Sequence, residues 1–384
     1  MNATPASLPT SAQDEVLYRV VNRVAIMTLN RPAALNALSH AMVKTLSDLL
    51  ETVRADDAIV AVVLNGAGPK GFCAGGDVRA IHALAQRGER LGETGWQQFF
   101  VDEYRLDHAL HTFPKPVVAL LDGVTMGGGM GLGQAATLRV ATPRTKIAMP
   151  ETRIGMLPDV GATHFLAAMP VETELYVGLT GVLLSGADAL DCGLADVCVP
   201  ADWLDGFEAR LARMPHDGDL NAALREVFEA PCDDAPVGTL KRHAPLISRY
   251  FGAQERVEQI ARALQADLAD TASAAADEAD QEWRKTALEA LTHYSPTMLE
   301  VTREALLRGR RLTLADSFRM ELGIVSRTIE EGDFREGVRA HLIDKDRTPR
   351  WVPPTLAEVR PERVQHFLAS PWEGDAHPLA DLGA

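Results

Sequence analysis

"KPVVALLDGVTMGGGMGLG", residues 115–133, decides how this chain folds. Val117 to Leu121 form an apolar run of the length expected for a strand buried on both faces. Asp122 and Gly123 supply a turn signal. Three consecutive glycines, Gly127 to Gly129, then lead into Met130 and Leu132. Glycine is a poor helix interior residue. The triplet therefore predicts a helix N-terminus where the backbone passes close to another group, with the helix running to about Arg139. Strand, glycine turn and helix in succession point to an α/β fold with largely parallel strands.

The same alternation extends outward from this stretch. Residues 18–30, "YRVVNRVAIMTLN", predict strand, turn and strand. Residues 31–53, "RPAALNALSHAMVKTLSDLLETV", predict an amphipathic helix with Leu38, Met42, Leu46 and Leu49 on its inner face. "AIVAVVLNG" (58–66) predicts a buried strand, and "RVATPRTKIAMP" (139–150) ends in a short one. After about residue 200 the signal becomes helical. Residues 261–283 predict one long helix, and 314–332 another with Phe318, Leu322 and Val325 packed in the core. The division expected is an α/β core at 16–200, a helical region at 201–350 and a surface tail at 351–384, whose Pro-rich stretch starts near 348.

Composition narrows the function classes. The 384 residues carry a formal net charge of −15 and no long basic run, which argues against nucleic-acid binding. No apolar run reaches the roughly 18 residues of a membrane span. The cysteines, Cys73, Cys192, Cys198 and Cys232, form no CxxC pair, so no metal site is expected. The first 16 residues lack the basic start and apolar core of a secretory signal, and a cytoplasmic protein is expected.

Two glycine loops and two acids carry the chemistry. "GFCAGGD" (71–77) and "MGGGMGLG" (126–133) each follow a predicted strand. Three uses fit the second loop: a dinucleotide fingerprint, a packing turn, or backbone donors for an oxyanion. Gly131, Gly133 and Ala136 match G-x-G-x-x-A, but Gly131 falls about ten residues past the predicted strand end, whereas the fingerprint starts there. No G-x-S-x-G, H-E-x-x-H or P-loop lysine pattern occurs. Cys73 lacks an evident base and reads as a small buried residue, and His164 as structural. "MPETRIGMLPDVG" (149–161) places Glu151 and Asp159 among apolar residues. Burying an unpaired charge costs several kcal/mol, so each acid needs a partner or a task. Pairing with Arg153, or capping a helix start after Pro158, would be a structural task; general-base work would be a chemical one. Apolar surroundings raise carboxyl pKa values, and neighbouring acids titrate as a coupled pair.

Together, "NRPAALNAL" (30–38), the two glycine loops and "MPETRIGMLPDVG" resemble the crotonase (enoyl-CoA hydratase/isomerase) superfamily, in that family's order. "DEYRLDHALHTFPKP" (102–116) and "DFREGVRAHLIDKDRTPRW" (333–351) are similar to segments of its hydrolase branch, which cleaves 3-hydroxyisobutyryl-CoA. The resemblance implies a crotonase-like spiral of ββα units with a helical C-terminal region. It implies an acyl-CoA substrate, no separate cofactor, a possible homo-oligomer and a place in valine breakdown. On it, the N–H groups of Gly76 and Gly128 form an oxyanion hole, Glu151 is the general base or the attacking carboxylate, Asp159 is a second catalytic acid that holds the 3-hydroxyl or manages the proton on the leaving thiolate, and Glu103 contacts substrate. Hydratases of the family usually carry a glutamate three residues past the middle glycine; here that residue is Gly131, as in the hydrolase branch. The alternatives are an enoyl-CoA hydratase or isomerase working with one acid, and a non-catalytic acyl-CoA-binding protein.

Overall fold

The computed structural model describes residues 14–90, 95–231, 238–252, 255–270, 277–373 and 376–383. Ten strands are present among them: β1 (Val16–Val21), β2 (Val24–Leu29), β3 (Ala61–Gly66), β4 (Gly71–Cys73), β5 (Val117–Leu121), β6 (Val124–Met126), β7 (Leu138–Ala141), β8 (Lys146–Ala148), β9 (Leu184–Ser185) and β10 (Val197–Cys198). One sheet runs β1-β2-β3-β5-β7-β10 and a second runs β4-β6-β8-β9. Successive strands are thus dealt alternately to the two sheets: β3 then β4, β5 then β6, β7 then β8. A helix follows each of the first three strand pairs, which is the ββα repeat of a spiral.

β1 and β2 pair antiparallel through a two-residue turn in which Asn22 and Arg23 take φ of 45° and 65°. That is the twist-matched hairpin geometry. From β2 onward the large sheet is parallel. Val24, Ile26, Ala61, Val63, Val118 and Leu120 alternate along one face and pack with Phe207, Leu211, Leu224 and Phe228. Residues of the other face, Ala25, Val62, Leu64, Val117 and Ala119, are equally buried. Burial on both faces explains why these strands read as unbroken apolar runs.

Chain contacts divide the molecule into two compact units. The first comprises Met1–Asp77, Asp102–Ile147 and Leu183–Gly238 and holds both sheets; the second comprises Val78–Val101, Ala148–Val182 and Thr239–Ala384 and is helical. Residues 204–228 cover the large sheet. The tail expected on the surface adds a helix, Pro361–Leu368, and two fully buried side chains, Phe367 and Leu379.

Three expectations are corrected. The first helix starts at His40, not Arg31: Leu35 and Asn36 adopt φ of 52° and 57°, and Ser39 caps the helix by accepting from the Met42 N–H at 3.1 Å. A cap of this kind is worth about 1 kcal/mol. Its inner face uses Leu50 rather than the half-buried Leu49. The glycine-triplet helix spans Gly128–Gln134 and stops short of Arg139, which lies in β7. The single helix predicted over 261–283 is divided: one helix ends at Ala269, with Asp270 extended, and the next begins at Glu278 behind an Asp277 cap. The Phe318, Leu322 and Val325 stripe is fully buried, as expected.

Candidate active site

The first unit assembles the two glycine loops. β4 and β6 pair in parallel, Gly71 opposite Val124, so their C-terminal ends lie together. Each strand end delivers one loop, and Gly129 lies directly against the Cys73 carbonyl. The first loop is also stitched to Leu38: the Leu38 N–H donates to the Gly75 carbonyl at 2.8 Å and the Asp77 N–H to the Leu38 carbonyl at 2.9 Å. In a parallel bridge a residue bonds to the neighbours of its partner, so the partner's own N–H points away. Among the described residues, the Gly76 N–H has no acceptor. The Gly128 N–H is likewise without one; as the first N–H of its helix it has no intrahelical partner. Two backbone donors from adjacent loops are therefore available to an external oxygen.

Glu103 joins them from the helix Trp96–His111. Its side chain is 2% exposed, and a Cβ added to Gly128 would lie only 2.3 Å from its Oε1. Only glycine fits between this carboxyl and the loop. Asp107, one turn further along the same helix, is also fully buried. Sequence reasoning passed over it, although an acid four residues after Glu103 shares its helix face. Burial, with the nearby charges of Glu103 and Asp107, pushes the Cys73 thiol up to about 12. Burial thus disfavours the thiolate form that a nucleophile needs.

The second unit holds the acids of 149–161. Glu151 opens the tight 3-10 turn Glu151–Ile154 and is 7% exposed. Gly155 ends that turn in the left-handed region at φ 74°, against the Asp333 backbone, and Gly337 lies against the Ile154 carbonyl. The Thr152 hydroxyl donates to the Leu179 carbonyl at 3.1 Å. Asp333 accepts from the Ser295 hydroxyl at 2.6 Å and from the Val352 N–H at 3.2 Å. The segment 333–351 thus braces the Glu151 turn. Arg153 is exposed.

Asp159 is 3% exposed. It does not cap the helix Ala162–Phe165, whose N-cap is Gly161. The donors of that turn go to Glu321, a residue the sequence reading missed: the Gly161 N–H at 2.7 Å, the Thr163 N–H at 2.9 Å and the Thr163 hydroxyl at 2.6 Å. Burial, with a further push from the Asp159 charge, raises the Glu321 carboxyl to about 8. His164 is exposed. Cys192 is half-buried and its thiol is also pushed up to about 12 by burial, while Cys232 lies outside the described residues. Gly131 and Gly133 sit inside the helix Gly128–Gln134, which is not where a dinucleotide fingerprint places its glycines.

The family model described as enoyl-CoA hydratase/isomerase matches residues 24–368. The chain belongs to the enoyl-CoA hydratase/isomerase family. A family relative from Danio rerio, "3-hydroxyisobutyryl-CoA hydrolase, mitochondrial", is 37% identical, covering 96% of this chain and 93% of its own. A Neurospora crassa relative named "Small ribosomal subunit protein mS47" is also 37% identical, over 91% of this chain and 70% of its own. Among solved structures, a family member described as a carnitinyl-CoA dehydratase from Mycobacterium thermoresistibile superposes with a TM-score of 0.82 at 36% identity, covering 96% of this chain and 99% of that one. The crotonase-like fold expected from the sequence stands. The cytoplasmic expectation does not: the Danio rerio relative is named as mitochondrial. Lack of a secretory signal tests only the secretory route, so it could not assign a compartment. Among the described residues, no helix is long and apolar enough to cross a membrane.

Proposed function

We propose that this chain hydrolyses the thioester of a 3-hydroxyacyl-CoA, with 3-hydroxyisobutyryl-CoA giving 3-hydroxyisobutyrate and CoA. The observation that carries the reading is the pair of N–H groups, Gly76 and Gly128, that have no acceptor among the described residues and stand on loops held side by side by β4 and β6. Such donors suit a carbonyl oxygen that gains negative charge as its carbon is attacked, and each is worth roughly 2.7–4 kcal/mol. Glu151 takes a proton from water as the water oxygen adds to the thioester carbon. Collapse of the oxyanion breaks the C–S bond, and the leaving thiolate takes the proton that Glu151 removed from water, giving free CoA and restoring the base. Attack by the Glu151 carboxylate itself, through an anhydride then hydrolysed by water, gives the same products. Asp159 holds the 3-hydroxyl.

Gly131 favours hydrolysis over water addition. Adding water to an enoyl-CoA is usually served by two carboxylates, and this position, one turn into the helix, carries no side chain. The name of the Danio rerio relative supports the same substrate. The dehydratase description of the solved relative favours the second reading, a hydratase or dehydratase. The ribosomal name of the Neurospora crassa relative favours a third, in which nothing is turned over. Purified protein offered 3-hydroxyisobutyryl-CoA and crotonyl-CoA separates the three. Free thiol from the first and slow loss of enoyl absorbance from the second are expected. Rapid hydration without thiol release would establish the second reading, and neither reaction the third.

A further inference from the structure

We infer that Glu321 is a positioning residue for Asp159, and so governs how strongly the enzyme selects a 3-hydroxylated acyl group. The inference rests on the proposed role of Asp159 and adds a residue to it. Asp159 is followed by two residues in the left-handed region, Val160 at φ 54° and Gly161 at φ 84°. A β-branched residue rarely adopts that conformation unless its surroundings impose it. Val160 is 1% exposed, and the Ala162 N–H closes the turn on the Asp159 carbonyl at 2.9 Å. Glu321 supplies the fixation from the helix Leu314–Glu331. One carboxyl oxygen takes the Gly161 N–H and the other takes both Thr163 donors. Phe318, one helical turn earlier, closes over Gly161.

Glu321 is wholly buried, and packing alone does not need an acid there. Burial costs a carboxyl dearly unless it is bonded, and all three of these donors belong to the turn that follows Asp159. The proton affinity of Glu321 fits the arrangement: raised to about 8, it is mostly neutral at pH 7 and places little charge against Asp159.

The test compares kcat and KM on 3-hydroxyisobutyryl-CoA and isobutyryl-CoA in wild type, Asp159→Ala, Glu321→Gln and the double variant. Each carboxyl oxygen accepts a backbone N–H, so the amide NH2 of glutamine must face one of them whichever way it turns. Preference for the hydroxylated substrate, as a ratio of kcat/KM values, should fall at least about tenfold in Glu321→Gln, the loss expected when a site's polar groups are misplaced. It should fall little further in the double variant. A structural role alone would lower the active fraction equally on both substrates and leave the ratio and both KM values unchanged. If Glu321→Gln does not fold, Thr163→Val removes one of the donors and should move the ratio the same way. A ratio that falls in Asp159→Ala but not in Glu321→Gln, or in Thr163→Val as its substitute, overturns the inference alone. A wild-type enzyme with no preference, or one untouched by Asp159→Ala, overturns the role of Asp159 and the inference with it.

Discussion

Gly128→Ala tests the oxyanion loop at its tightest point. The new Cβ would lie 2.3 Å from Glu103 Oε1 and 3.1 Å from Leu38 Cδ1. Carbon and oxygen normally approach to about 3.3–3.6 Å, so something must move by about 1 Å. Glu103 has flexible torsions, but at 2% exposure it has no solvent to swing into. Leu38, wholly buried and bonded to the other glycine loop, blocks retreat on another side. Overpacking of this kind costs roughly 1–3 kcal/mol, and a 1 Å misplacement of a reacting group can cost about 10²-fold in rate. CoA release from 3-hydroxyisobutyryl-CoA should therefore fall by about 10²-fold, together with a lower melting temperature. Removing the obstructing side chain supplies the control. Gly128→Ala should be less destabilising in a Glu103→Ala background, with a coupling of about 0.5–3 kcal/mol. Wild-type rate and melting in Gly128→Ala, or no coupling to Glu103, would refute this account of the loop.

Glu151→Gln keeps the shape of the side chain but removes its basicity. Thiol release should drop by at least about 10²-fold with CoA affinity little changed, and wild-type turnover would remove Glu151 from the chemistry. Gly337→Ala would bring a Cβ to 2.2 Å from the Ile154 carbonyl oxygen and push on the Glu151 turn; turnover and melting temperature should fall together, and an unaffected rate would show that the brace is not needed. The Glu321 and Glu174 carboxyls are raised by burial from 4.5 to about 8 and about 7. The folded chain keeps those protons after the unfolded chain has released them, so stability is greatest below about pH 4.5 for these two groups and is lost as pH rises toward 7–8. Glu321→Gln should flatten that decline in a series of thermal melts, and an unchanged slope would contradict the burial of an acid there.

The parallel strands were legible because both faces of the large sheet are covered, which turns Ala61–Leu64 and Val117–Leu121 into uninterrupted apolar runs. β4 and β6, three residues each, carry no periodicity of their own. They exist through their mutual pairing, and a tertiary cause of that kind leaves no local trace. The first helix was read too early for a related reason. Its apolar spacing continues upstream through Leu35 and Leu38, but Leu35 and Asn36 sit at positive φ, and the Asn36 side chain bonds to the Ala67 and Gly71 carbonyls at 3.0 and 2.9 Å. Those bonds reach across more than 30 residues and outweigh helix propensity.

At the candidate site, one signal marks more acids than the two in 149–161. Glu151 and Asp159 drew notice as acids among apolar residues. Glu321 meets the same test more sharply: it stands three residues after Phe318, next to Leu322 and four before Val325, on the buried face of its helix. A helical period of apolar residues predicts burial of a face but does not say what else shares it. Asp107 escapes the apolar pattern in the same way, one turn past Glu103. An acid inside a buried stripe costs free energy that local propensity does not repay. Its partners must therefore be sought elsewhere in the chain, and for Glu321 they lie about 160 residues away, at Gly161 and Thr163. A buried acid in a helical stripe thus points to a long-range contact even when the sequence does not say with what, and here the contact is the turn that carries Asp159.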